Sequence, residues 1–137
     1  MTRLLPLALL LAACGPRYDG INIELHSEPP VPVHVSDNDF ELPAGIAVVI
    51  DVKPLSSNQF DYYESDQLDL RSDNRQVLRV EPTENSRRFV LIGVAPGETC
   101  VQVEVDYHDR GCIPAVVTAP TAATDTVSTT RGTGAGA

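Results

Sequence analysis

The side chains that could do chemistry are few in type and poorly spaced for it. His26, His34 and His108 are scattered, with neither the H-E-x-x-H pair of a helical zinc site nor a C-x-x-C pair to complete one. No G-x-S-x-G segment sets a serine on a strained strand-to-helix turn. The 19 Asp and Glu residues supply carboxylates at every separation, but glycoside chemistry needs two held across a cleft, and nothing in the spacing builds one. The expectation is a protein that is not an enzyme and uses no cofactor. Oxygen ligation is the one metal chemistry within reach, because Ca2+ takes about six to eight oxygens. Asp37 and Asp39, within Ser36-Asp37-Asn38-Asp39, and Asp61 and Asp66, at the start of the stretch to Asp73, are the Ca2+ candidates. Neither stretch has the order of a dedicated calcium loop, and a solvated acidic face accounts for both. Phe60, Tyr62 and Tyr63 stand in one polar loop. They either form a partner patch or cover the open end of a small core. With three Phe, four Tyr and no Trp in the chain, the need for core area favours the second.

The N-terminus carries a different chemistry. Met1-Thr2-Arg3 is followed by an uncharged run from Leu4 to Ala13. That run is about half of the roughly 20 residues a transmembrane helix needs, so it reads as a signal-peptide core. At its end, Leu11-Ala12-Ala13-Cys14-Gly15 resembles the lipobox of bacterial lipoproteins. The resemblance implies cleavage before Cys14, acylation of that cysteine by chains such as palmitate, and anchorage on a membrane of the cell envelope. One acyl chain binds marginally and two or more hold. Gly15 stands where inner-membrane lipoproteins of Gram-negative bacteria have Asp, which points to the outer membrane. The formal charge of −9 excludes a nucleic-acid partner, which needs a basic stripe, and leaves the lipid as the membrane contact. An envelope protein is the expected partner.

With Cys14 lipidated, Cys100 and Cys112 remain in a compartment that permits disulfides. A tight hairpin with its tip at Asp109-Arg110 would leave them roughly 20 Å apart, beyond the ~7 Å limit on Cα separation. A bridge instead requires a turn centred near Asp106 with a wider loop through Tyr107 to Arg110. The alternative is two free thiols.

Apolar alternation and turn clusters place strands at Ile21–Leu25, Val31–Val35 (an edge, because of Pro32), Ile46–Val52, Leu68–Ser72, Val77–Val80, Arg88–Val94, Val101–Val105 and Ile113–Val117. Phe40–Gly45 leads into the third of these, and Leu55–Ser65 is the longest loop. No segment has helical periodicity. The organisation is a signal peptide (1–13), a lipidated tether (14–20) about 20 Å long at full extension, a sandwich (21–117) and a Thr/Ala/Gly-rich tail (118–137) whose composition predicts disorder. The fold class is all-β, an Ig-like β-sandwich of about seven to nine short strands.

From Phe40 to Val117 the order of motifs is similar to bacterial Ig-like domains of group 2. Leu42–Val49 matches the entry segment, Leu70-Arg71-Ser72-Asp73-Asn74-Arg75-Gln76-Val77-Leu78-Arg79-Val80 the middle one, and Leu91-Ile92-Gly93-Val94-Ala95-Pro96-Gly97 running into Val101 the last. The resemblance implies a core tryptophan where Leu70 stands, and it does not require the Cys100/Cys112 pair, which would compensate by stapling a small core. Gly93 and Gly97 mark places where the backbone turns or packs closely.

Overall fold

The computed structural model describes residues 15–120. The signal segment 1–13, Cys14 and residues 121–137 of the tail lie outside the described residues. The alternating stretches form nine strands: β1 (Tyr18–Leu25), β2 (His34–Val35), β3 (Phe40–Pro43), β4 (Ala47–Ser56), β5 (Leu68–Ser72), β6 (Leu78–Pro82), β7 (Arg88–Gly93), β8 (Gly97–Val105) and β9 (His108–Thr118). The first sheet has the order β1-β4-β7-β6 and the second β2-β3-β9-β8-β5. Neighbours run antiparallel except β3 and β9, which pair in parallel from Phe40↔Ala115 to Pro43↔Thr118. The molecule is an Ig-like sandwich.

One face of each strand closes the core. Val48, Ile50 and Val52 of β4 and Phe89 and Leu91 of β7 face Val101, Val103 and Val105 of β8 and Ile113, Ala115 and Val117 of β9, all buried. No polar or charged side chain among the described residues is buried, so the core is held by apolar area alone. Leu70, at the position where the resemblance implies tryptophan, is 2% exposed and serves as a core residue. Gly93 shows why a side chain is excluded at the sheet corner: a Cβ there would lie 2.5 Å from the Pro43 carbonyl oxygen.

The β8–β9 hairpin fixes which residues reach that core. Its turn is Asp106-Tyr107, both in the left-handed region (φ 51° and 63°), closed by the pair Val105↔His108. Two positive φ values make it the tight hairpin turn whose twist matches the strands. The wider loop through Arg110 does not form; His108–Arg110 already belong to β9. Next to the turn, Glu104 pairs with Asp109, but two residues further along β8 Gln102 pairs with Cys112. Arg110 and Gly111 thus oppose Val103 alone, a β-bulge, and Gly111 takes φ 105° within it.

That extra residue changes the face. Side chains alternate with period two, so a slip of one exchanges core and solvent. With the bulge, Val101 faces Ile113; without it Val101 would face Cys112, and Pro114 and Val116 would follow inward. Cys100 and Cys112 are left on the outer face of the second sheet, diagonal across the hairpin with Cα atoms 5.7 Å apart, and they are bridged. The bridge therefore staples two adjacent strands from outside. It fills no core volume left by the missing tryptophan. Closing a loop of this size is worth about 2–3 kcal/mol in the chain-entropy description.

Several boundaries differ from the expected ones. β1 begins at Tyr18, inside the expected tether, because Tyr18 pairs with Ser56 and Ile21 with Pro54. β4 continues through Pro54 since its pairing with β7 ends at Asp51↔Arg88; Val52 donates its N–H to Arg87 on that side, so the N–H that Pro54 lacks would have pointed past the end of β7. Val31-Pro32-Val33 forms no strand, which leaves β2 only two residues. β9 extends to Thr118, the first residue of the expected tail.

Gly111→Ala should lower stability by about 1–2 kcal/mol, because a Cβ is strained at this positive φ although the space is open. The urea midpoint should fall at unchanged slope; an unchanged midpoint would show that the bulge does not constrain the hairpin.

Candidate functional site

The loops that join the two sheets at one end of the sandwich form a single interlocked surface. It consists of the β4–β5 loop (57–67), the β6–β7 connection (83–87), the Asp106-Tyr107 turn and the incoming chain at 15–17. Asp106 and Tyr107 donate their N–H groups to the Gln67 carbonyl and side-chain oxygens at 3.0 and 2.9 Å. The Ser86 hydroxyl donates to the Glu64 carbonyl at 3.0 Å, and the Arg87 guanidinium donates to the Tyr63 carbonyl. The incoming chain is held as firmly. Asn58 Nδ2 donates to the Gly15 carbonyl at 2.9 Å, Ser57 N–H to the Arg17 carbonyl at 2.9 Å, and Arg17 N–H reaches the Ser56 hydroxyl and Asn58 Oδ1.

The aromatic residues at this end divide by role. Tyr62 and Tyr18 pack against the core, and the Arg110 guanidinium lies 4.7 Å above the Tyr18 ring. Burial raises both phenol pKa values above their ordinary 10.0, partly offset by the Arg110 charge. Phe60 (36% exposed), Tyr63 (72%) and Tyr107 (81%) instead face outward. The loop trio expected to cover the core is thus split: Tyr62 covers it, while Phe60 and Tyr63 join Tyr107 outside. Tyr107 was not visible as a site residue in the sequence, since Asp-Tyr is not a sequence signal for this turn. In the left-handed region its side chain costs about 1–2 kcal/mol, and its exposed ring recovers little of that by packing.

On the outer face of the first sheet, a groove of about 530 Å3 is bounded by Asn22, Glu24, Asp51 and Lys53 and by Tyr62, Glu64 and Arg87 from the loop end. Its walls hold no serine, threonine, cysteine or histidine, so no nucleophile with an imidazole base is built there. Asp51 nearby accepts from Arg88 Nε at 2.7 Å and shares a 2.8 Å hydrogen bond with His26 Nδ1. The Arg88 contact is the main cause of a lowered Asp51 pKa. Its stabilising contribution is present above the ordinary carboxylate range and is lost as pH falls through the lowered value. Among the described residues no hydroxyl or thiol is hydrogen-bonded to the His26 ring, so the contact is a surface hydrogen bond beside the Arg88–Asp51 ion pair.

The Ca2+ candidates are not brought to one point. Asp39 is engaged by the Ser36 hydroxyl at 2.6 Å and His34 Nε2 at 3.0 Å, which together lower its pKa, and Asp37 accepts from its neighbour Asn38. Asp66 accepts the Tyr63 N–H at 2.6 Å across its own turn. Among the described residues no group of three or more His, Cys, Asp or Glu side chains converges as metal ligands would. Asp37, Asp39 and Asp66 thus each accept hydrogen bonds within their own turns.

Fold and loop end together define a small Ig-like module that presents joined loops at the end where its chain enters. Among solved structures, it is similar to domains 5–6 of the S-layer protein SbsC, with 15% identity over 77% of this chain and 46% of that one and a TM-score of 0.52. It is also similar to a structure of SbsC domains 1–6, at 15% identity, 80% and 14% coverage and a TM-score of 0.55. The chain thus spans less than half the length of each, and at this identity the likeness is one of fold. No protein-family model and no curated protein sequence matches the chain, so the likeness stands at the level of the Ig-like sandwich.

The split of the aromatic residues predicts three distinct results. Tyr62→Ala should lower stability by about 2–4 kcal/mol as core area is lost. Tyr63→Ala should change it by less than about 0.5 kcal/mol. Tyr107→Asn should raise it by roughly 0.5–1 kcal/mol by relieving the left-handed strain. Urea denaturation measures all three, and a loss of stability in Tyr107→Asn would show that the ring packs in solution.

Proposed function

We propose that this protein is a bacterial envelope lipoprotein, acylated on Cys14, whose Ig-like sandwich acts as a non-enzymatic interaction or scaffolding module. The observation that carries the reading is the sequence Leu11-Ala12-Ala13-Cys14 directly ahead of the sandwich. Two features support it. The first described residue, Gly15, is hydrogen-bonded to the loop end, so a lipid on the preceding cysteine would hold the whole domain and not a loose leader. The chain leaves β9 at the opposite end, where the Thr118 carbonyl accepts from Ala44, so the exit of β9 lies far from the anchored entrance. Surface-layer domains with the same fold support a place at the cell surface, and a groove wall without a serine, threonine, cysteine or histidine supports a binding role over nucleophile-and-imidazole catalysis. Gly15 in place of Asp favours the outer membrane, and an envelope protein is the partner class that a short, acidic, membrane-tethered module would meet.

Cells fed an alkyne fatty acid should label the protein, and Cys14→Ala should abolish the label and leave the signal peptide uncut. A Cys14→Ala protein that still carries the label would remove the basis of the proposal.

A further inference from the structure

We infer that the loop end is itself a membrane-contacting surface, with Phe60, Tyr63 and Tyr107 resting in the headgroup region of a zwitterionic lipid bilayer. The inference rests on the acylation of Cys14 proposed above, and it adds an orientation that acylation alone does not give.

The geometry begins at the anchor. Consecutive Cα atoms are about 3.8 Å apart, so the acylated residue would stand one peptide bond from Gly15, whose carbonyl is bonded to Asn58 in the β4–β5 loop. β1 starts at Tyr18 and the three residues before it are pinned, so no flexible tether lets the sandwich swing away. The bilayer must therefore lie against the end of the domain that carries residues 57–67.

What that end offers is suited to such a surface. Phe60, Tyr63 and Tyr107 are exposed on connections that are fixed by hydrogen bonds, and aromatic rings of this kind favour the membrane interface, where an apolar body meets a polar rim. Tyr107 adds an independent observation. It holds a strained left-handed backbone (φ 63°) while the residue is 81% exposed, so the side chain carries a folding cost that its packing does not offset. The charge selects the lipid. Asp61, Glu64, Glu84 and Asp109 lie on or next to these connections against Arg17, Arg87 and Arg110, and the Arg110 and Arg87 guanidiniums are turned inward to Tyr18 and the Tyr63 carbonyl. An anionic headgroup surface would be repelled; a zwitterionic one would not. The rings add a second weak attachment to the acyl chains, and two weak attachments joined rigidly act at high effective concentration.

The chain contains no tryptophan, so one introduced Trp reports alone. The acylated protein is prepared as the Tyr63→Trp, Tyr107→Trp and Val94→Trp variants, Val94 being exposed on the β7–β8 connection at the opposite end. Each variant is reconstituted in phosphatidylcholine vesicles with brominated acyl chains. Trp at Tyr63 and Tyr107 should be quenched about twofold and blue-shifted while Trp at Val94 is not, and replacing half the lipid by phosphatidylglycerol should weaken the quenching. Matching urea midpoints for the three variants show that each is folded. Vesicles that carry the protein but quench all three positions equally little would overturn the inference and leave the lipid anchor standing. Protein that does not float with the vesicles at all would overturn both.

Discussion

The one-residue bulge at Arg110-Gly111 is the constraint on which the rest of the sandwich depends. A two-residue turn at Asp106-Tyr107 fixes the start of the β8–β9 pairing, and strict alternation would then carry Cys112, Pro114 and Val116 into the core. The added residue reverses that assignment. Ile113, Ala115 and Val117 go inward against Val101, Val103 and Val105, the cysteines go outward, where they can bridge, and the strand end that pairs in parallel with β3 is brought into register. The same bulge turns Arg110 toward Tyr18 and so ties the second sheet to the first strand at the loop end.

Through that tie, the packing of the core and the geometry of the chain entrance are linked. Tyr18 begins β1 and lies beneath Arg110; Arg17 and Gly15 are bonded to the loop that begins at Ser57. A lipid attached to the residue before Gly15 would be coupled to the sandwich almost rigidly, where the sequence alone suggests a tether of about 20 Å. With such a lipid in place, orientation relative to the membrane would follow from the fold and would not require a partner.

The strands were legible in the sequence because the branched aliphatic residues alternate cleanly, as in Val101-Gln102-Val103-Glu104-Val105. Their ends were less so. Tyr18-Asp19-Gly20 has no apolar period, and only its pairing with Leu55 and Ser56 makes it a strand. Pro54 is a strand breaker by type, but it sits where β4 has lost its neighbour on the side of the missing N–H. The turn near Asp106 was legible only through the demands of the bridge, and its width was not, because Asp-Tyr is a poor sequence for a turn with two positive φ values, whereas Asp109-Arg110-Gly111 carries the glycine that usually marks one; here that glycine serves the bulge. The bridge between Cys100 and Cys112 was foreseen in outcome, but its position on the outer face was not. The acidic stretches looked like ligand sets because residue type gives no hint that Asp37, Asp39 and Asp66 already accept bonds within their own turns. Of the aromatic trio, spacing could not separate Tyr62 from Phe60 and Tyr63, which differ only in where the loop folds back on Arg87.

The central claim is that a lipid on Cys14 begins the mature chain. Mass spectrometry of the protein extracted from its own membranes tests it most directly, because trypsin releases Cys14-Gly15-Pro16-Arg17 as the N-terminal peptide. The account predicts that this peptide carries a diacylglyceryl thioether. An N-terminal peptide that begins at Cys14 with a free thiol, or one that still contains Leu11-Ala12-Ala13, would contradict it.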